Sequence, residues 1–282
     1  MPRFLTTDGV DIRFDVIGTG PPLLVCHGGP SNVCDTLIGD LAALSPYFTL
    51  VFHDYRGSGQ SSAAPKDTYT FARLADDLDE LRRHLNLGSV PVLAHSMGGL
   101  VAIEFALRHA SAESLILAGV SPCMSPASTA VPMIRALGPR RTARMAVLAL
   151  WFLVAWSWRA ASTKRTAAMY APTDVTQEAR PERRQMVAKA HPWLPVWNDN
   201  ATALQRAIVS TDLRQQLHEI RCPALAMYGS RDAMMVVGAR MLESHLADLT
   251  VIRLDDVGHE VFIEEPARVF IEIRRFVEVH GS

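Results

Sequence analysis

Hydrophobic and polar positions along this chain of 282 residues follow two rhythms in turn. Residues 10–16 alternate apolar and polar, as a half-buried strand does. Residues 23–26 and 49–52 are short continuous apolar runs, the pattern of central strands covered on both faces. Leu74, Leu78, Leu81 and Leu85 recur at helical spacing within residues 70–86. A strand over 90–94, a helix over 100–109 and a strand over 114–118 continue the series. Strands alternating with helices predict a mostly parallel sheet flanked by helices, an α/β fold.

The rhythm breaks at residue 121. Between 121 and 210 no strand pattern is evident, and helical stretches are predicted around 131–163 and 177–190. Trp151, Trp156 and Trp158 cluster there, with Trp193 and Trp197 following. The α/β rhythm returns with a strand over 224–228, a helix at about 239–246 and a strand over 250–254. A last helix opens near Pro266, where proline is tolerated in the first turn, and runs to about residue 279. The chain therefore divides into a core of residues 1–120 and 211–282 and an inserted helical cap of residues 121–210.

Composition narrows the choice of function. With 49% hydrophobic and 20% charged residues and a net charge of −1, the chain lacks the basic excess that nucleic acid or anionic membrane requires. Residues 145–158 form an apolar run of 14, short of the roughly 20 needed to span a bilayer. A buried helix, or one lining an apolar pocket, accounts for it, and no transmembrane segment is expected. The N-terminus has no apolar core suited to a signal peptide. The four cysteines, Cys26, Cys34, Cys123 and Cys222, form no C-x-x-C pair. They are expected to be reduced thiols in a cytoplasmic protein, and no metal site is expected from the His/Cys spacing.

Ala94-His95-Ser96-Met97-Gly98-Gly99 carries the chemistry. A strand, a tight turn and a helix leave one hydroxyl at the apex, as a nucleophile requires. Its partners follow later strands. Asp232 stands in the loop after 224–228, and His259 in the loop after 250–254. In a parallel sheet these loops share the edge that bears Ser96. Alone, a post-strand Asp is often a helix cap, and a lone His is usually structural. In the order Ser96, Asp232, His259, each after a strand, they predict nucleophile, orienting acid and base. Cys26-His27-Gly28-Gly29-Pro30 follows another strand at the same edge. The Gly29 N–H, paired with that of Met97, is the candidate oxyanion hole. His27 reads as a structural histidine that bonds loop backbone. The stretch Asp54-Tyr55-Arg56-Gly57-Ser58-Gly59-Gln60-Ser61 lacks the lysine and spacing of a phosphate-binding loop. It reads as a structural loop, with Asp54 and Arg56 tying neighbouring loops together.

Together these motifs resemble the α/β-hydrolase superfamily over nearly the whole chain. The elbow departs from G-x-S-x-G only at Ala94, which is small enough for the turn. The resemblance implies oxyanion-hole roles for Gly29 and Met97. Residues 27–30 and 54–61 look like the proline iminopeptidase branch, with Ser31 in place of a glycine and Tyr55 in place of a glutamine. That branch also includes esterases and lactonases. A prolyl aminopeptidase must hold a free ammonium, usually with cap carboxylates, and this cap is poor in acids near its tryptophans. The expected function is cofactor-independent serine hydrolysis of a small acyl substrate, a carboxylic ester or lactone with an apolar body, with Trp151 and Trp158 contacting it. The alternatives are a prolyl aminopeptidase, and a non-hydrolytic cyclase or ligand receptor on the same fold.

Overall fold

Eight strands join in one sheet in the computed structural model, which describes residues 1–30, 32–125 and 199–281. They are β1 (Arg3–Leu5), β2 (Asp11–Gly18), β3 (Pro22–Cys26), β4 (Thr49–His53), β5 (Val90–His95), β6 (Ala112–Ala118), β7 (Ala224–Gly229) and β8 (Leu249–Leu254). The described α-helices are α1 (Asp35–Asp40), α2 (Phe71–His84), α3 (Gly98–Arg108), α4 (Asp199–Ser210), α5 (Ala233–Glu243), α6 (Val261–Glu264) and α7 (Pro266–His280). Spatial order is β1-β2-β4-β3-β5-β6-β7-β8. The first two strands pair antiparallel, and β2 is antiparallel to β4. Every pairing from β4 to β8 is parallel.

Successive side chains on a strand point to opposite faces, and the core is sorted accordingly. Leu24, Val92 and Leu115 join one cluster with Leu74, Leu78 and Leu81 of α2 and Val101 and Phe105 of α3. Leu23, Val25, Leu93 and Ile116 join a second cluster with Leu37 of α1 and Val269 and Ile273 of α7. Both faces of the central strands are thus covered, which is why they read as unbroken apolar runs. Helix α2 starts where Thr70 Oγ1 accepts the Arg73 N–H at 3.2 Å.

The chain runs from β3 to β4 on one side and places β5 on the other. Strand order therefore reverses between β3 and β5, the position where open α/β sheets form a crevice at the carboxyl ends of their strands. Register sets Cys26 beside Ala94, and His95 beside Ala118. The loops after β3, β5 and β6 consequently leave the sheet at one level.

Some elements differ from expectation. The helix predicted at about 239–246 runs Ala233–Glu243, because Asp232 caps it earlier. Strand β1 and helices α1 and α6 are too short to give a periodic signal. Helix α4, within the predicted cap, sends Leu204 and Ile208 into the same cluster as α2 and α3. The predicted helical stretches 131–163 and 177–190, the apolar run 145–158, and Trp151 and Trp158 lie outside the described residues. No described helix is long and apolar enough to cross a membrane.

Candidate active site

Ser96 stands between β5 and α3 with φ of 53°, a left-handed conformation that costs a side-chain-bearing residue energy. Hydrogen bonds hold it there. Its N–H donates to Ala118 O at 2.9 Å, and its carbonyl accepts the Gly99 N–H at 3.0 Å. The two glycines of the motif let α3 begin close to its neighbours, Gly98 against the end of β3 and Gly99 against the segment after β6. A Cβ on Gly98 would stand 2.4 Å from Cys26 O, and one on Gly99 would stand 2.2 Å from Val120 Cγ1. Ala94 is fully buried and fits at the position where the family motif has glycine.

Asp232 and His259 meet because their loops touch. A Cβ on Gly229 would lie 2.0 Å from Gly258 O, so only glycine lets the loop ends of β7 and β8 approach so closely. His259 Nδ1 lies 2.6 Å from Asp232 Oδ2, and His259 Nε2 lies 2.9 Å from Ser96 Oγ. The carboxylate fixes the Nδ1–H tautomer, which leaves Nε2 as the acceptor for the serine hydroxyl. The other oxygen, Asp232 Oδ1, accepts the Met235 N–H at 3.2 Å. The same aspartate is therefore both helix cap and imidazole partner.

Burial opposes the charged form of His259, yet its pKa is raised above 6.5. Attraction and hydrogen bonding by Asp232, with further attraction from Glu260 and Glu264, outweigh the burial. An imidazole so placed is a strong proton acceptor toward Ser96.

Gly29 has φ of 61°, in the region that favours glycine, and Asn32 packs over it. Gly28 lies against the serine, where a Cβ would come 3.0 Å from Ser96 Cβ. Met97 is buried directly before α3, where amides and helix dipole favour negative charge. Of the two residues named from sequence as oxyanion donors, Met97 follows Ser96 directly, and Gly29 follows Gly28, the residue that packs against the serine.

The surrounding loops are braced from below. Nδ1 of His27 lies 2.9 Å from Gly28 O, and burial lowers its pKa. Tyr55 donates its hydroxyl to His27 O at 2.9 Å, which gives a role to the residue standing in place of the family glutamine. Asp54 accepts the N–H groups of Cys34 and Gln60, both at 2.9 Å. Arg56, fully buried, donates to Asp77 and Asp8. The loop 54–61 is thus tied to its neighbours, as its sequence suggests.

Among the described residues two groups bring metal-ligating atom types close together: His95, His259 and Glu260, and Asp15, Cys34 and Asp35. In the first, both nitrogens of His259 are engaged by Ser96 and Asp232. In the second, the Arg13 guanidinium lies among the donors. A cavity of about 380 Å³ lined by Pro22, Tyr47, Pro91 and Arg274 opens at the opposite sheet edge, away from Ser96.

Sequence reading missed His95 and Glu264. Nε2 of His95 lies 3.3 Å from His259 O, and Glu264 accepts the Gly258 N–H at 2.8 Å. Both act on backbone groups, for which the sequence carries no motif.

The model of the alpha/beta hydrolase fold family matches residues 21–266. The chain is 36% identical over 115 residues to a proline iminopeptidase of Heyndrickxia coagulans, covering 40% of this chain and 39% of that protein. It is 35% identical over 128 residues to the non-heme chloroperoxidase CPO-A1 of Kitasatospora aureofaciens, covering 44% of this chain and 46% of that one. The chain thus spans less than half the length of these two curated relatives. Among solved structures, an esterase from Exiguobacterium antarcticum shares the fold with a TM-score of 0.73 at 21% identity, over 98% of both chains.

Proposed function

The chain belongs to the alpha/beta hydrolase fold family, and on that premise we propose that it is a serine hydrolase cleaving a carboxylic ester or lactone through an acyl-enzyme. One observation carries this reading: the unbroken hydrogen-bond chain from Ser96 Oγ through His259 to Asp232.

Ser96 Oγ attacks the carbonyl carbon while His259 Nε2 takes its proton. Asp232 holds the imidazole in its Nδ1–H form and stabilises the imidazolium. The amides of Gly29 and Met97 receive the developing oxyanion. The imidazolium then protonates the departing alkoxide, leaving the acyl group on Ser96. Water, deprotonated by the same imidazole, releases the acid and restores the hydroxyl. For a lactone the leaving oxygen stays tethered, and the product is a hydroxy acid. Neither cofactor nor metal enters these steps. The apolar body of the substrate rests, in this proposal, against Trp151 and Trp158 of a cap formed by residues 121–210, over a core of residues 1–120 and 211–282.

Ser96→Ala tests the assignment on a panel of p-nitrophenyl esters of increasing acyl length. Turnover is expected to fall by about 10⁶-fold, the scale seen when a triad nucleophile is removed. An unchanged rate would sink the assignment.

The identity to a proline iminopeptidase favours a second reading, prolyl aminopeptidase. Proline p-nitroanilide with a free amine separates the two. Cleavage that is lost when the amine is blocked, with no turnover of the ester panel, selects the peptidase.

A further inference from the structure

The segment that carries His259 is pinned from both sides by groups outside the Ser96–His259–Asp232 chain. Gly258 and Glu260, the residues flanking the histidine, both donate their N–H groups to Glu264, to Oε2 at 2.8 Å and to Oε1 at 3.3 Å. Glu264 is 6% exposed and belongs to α6, a helix of four residues that cannot hold its own geometry in isolation. Its N–H in turn donates to Glu260 O at 2.8 Å, which closes the loop on itself. From the other side, His95 Nε2 meets His259 O at 3.3 Å, with the two rings 4.9 Å apart. Burial lowers the pKa of His95.

We propose that Glu264 is a positioning residue for His259, gripping the backbone on both sides of the imidazole so that Nε2 stays at hydrogen-bond distance from Ser96. The inference rests on the reading of His259 as the catalytic base. A carboxylate is suited to the task. It accepts at both oxygens, and charge-assisted bonds to backbone N–H groups are stronger than neutral ones. A glutamine in its place keeps one acceptor and turns an NH₂ toward the second amide, so one of the two grips is lost. Glu264 also adds to the negative field at the imidazole. The titratable groups facing His259 are Asp232, Glu260, Glu264 and His95.

The test uses Glu264→Gln and Glu264→Asp in the full chain. It combines steady-state kinetics on a p-nitrophenyl ester with NMR titration of the His259 ring. For Glu264→Gln, kcat is expected to fall about 10- to 100-fold, the scale of small misplacements of a catalytic group. KM should stay within about twofold, and the His259 titration should move to lower pH. Glu264→Asp keeps the charge but shortens the reach, so kcat falls while the titration stays at the wild-type value. A Glu264→Gln protein with wild-type circular dichroism, kcat and titration overturns the proposal. Should that variant fail to fold, an unchanged kcat in Glu264→Asp overturns it instead. A wild-type chain that hydrolyses no ester defeats the serine-hydrolase reading. In that case the NMR titration alone decides whether Glu264 governs the imidazole: a shift to lower pH in Glu264→Gln supports that role, and an unchanged titration overturns it.

Discussion

Asp232 binds His259 with one carboxylate oxygen and caps the helix beginning at Ala233 with the other. The cap bond fixes the carboxylate against the first turn of that helix. A post-strand aspartate that looks like a simple helix cap thus also holds an imidazole, the role of orienting acid in the proposed mechanism.

Asparagine caps helices as well as aspartate does, so Asp232→Asn separates the two roles. The cap survives, but the charge and the Nδ1–H tautomer are lost. Thermal stability is expected to stay near wild type, while kcat falls by about 10⁴-fold, the scale of the equivalent change in a serine protease. Asp232→Ala loses the cap too, at a further cost of about 1 kcal/mol. Thermal melts and ester kinetics on the two variants check this.

In the proposed mechanism the raised pKa of His259 sets the acid limb of activity. A base must be neutral, so kcat/KM is expected to rise with pH through a midpoint above 6.5. Stability runs the other way. A raised folded pKa stabilises fully below the unfolded value, and this is lost as pH rises through the folded value. The difference in thermal midpoint between wild type and His259→Gln should therefore shrink as pH rises over that window. A pH–rate profile with its acid limb below 6.5 contradicts the assignment.

Acid stability is governed in part by His53, which lies buried beside Tyr55. Burial first, and then neighbouring His27, hold its pKa down at about 3. The unfolded chain takes up this proton near the ordinary value of 6.5, while the folded chain stays neutral until far lower pH. Stability therefore falls as pH drops from 6.5 toward 3, by about 1.4 kcal/mol per pH unit for this one group. His53→Phe should reduce the change in urea midpoint between about pH 7 and pH 5. An unaltered change would show that His53 contributes nothing to it.

The central fold was legible because buried parallel strands leave unbroken apolar runs, and amphipathic α2 leaves a leucine every third or fourth position. Ser96, Asp232 and His259 were legible as a group for a related reason: Ser96 and Asp232 each follow such a run, His259 follows the mixed edge strand β8, and parallel topology sends the following loops to one edge. The start of α5 was not, since Ala233–Glu243 is apolar nearly throughout and offers no period. Glu264 and His95 were invisible because they hold main-chain groups, which every residue has. The elbow geometry was not legible either. Gly98 is required by the carbonyls of Cys26 and His27, which are distant in sequence.

Labelling with a fluorophosphonate probe tests most directly whether Ser96 is an activated nucleophile. The intact chain should gain the mass of one phosphonyl group, mapped by peptide mass spectrometry to the peptide bearing Ser96. Ser96→Ala should gain none, and His259→Gln should label far more slowly. A wild-type chain that stays unlabelled, or one labelled equally well after Ser96→Ala, contradicts it.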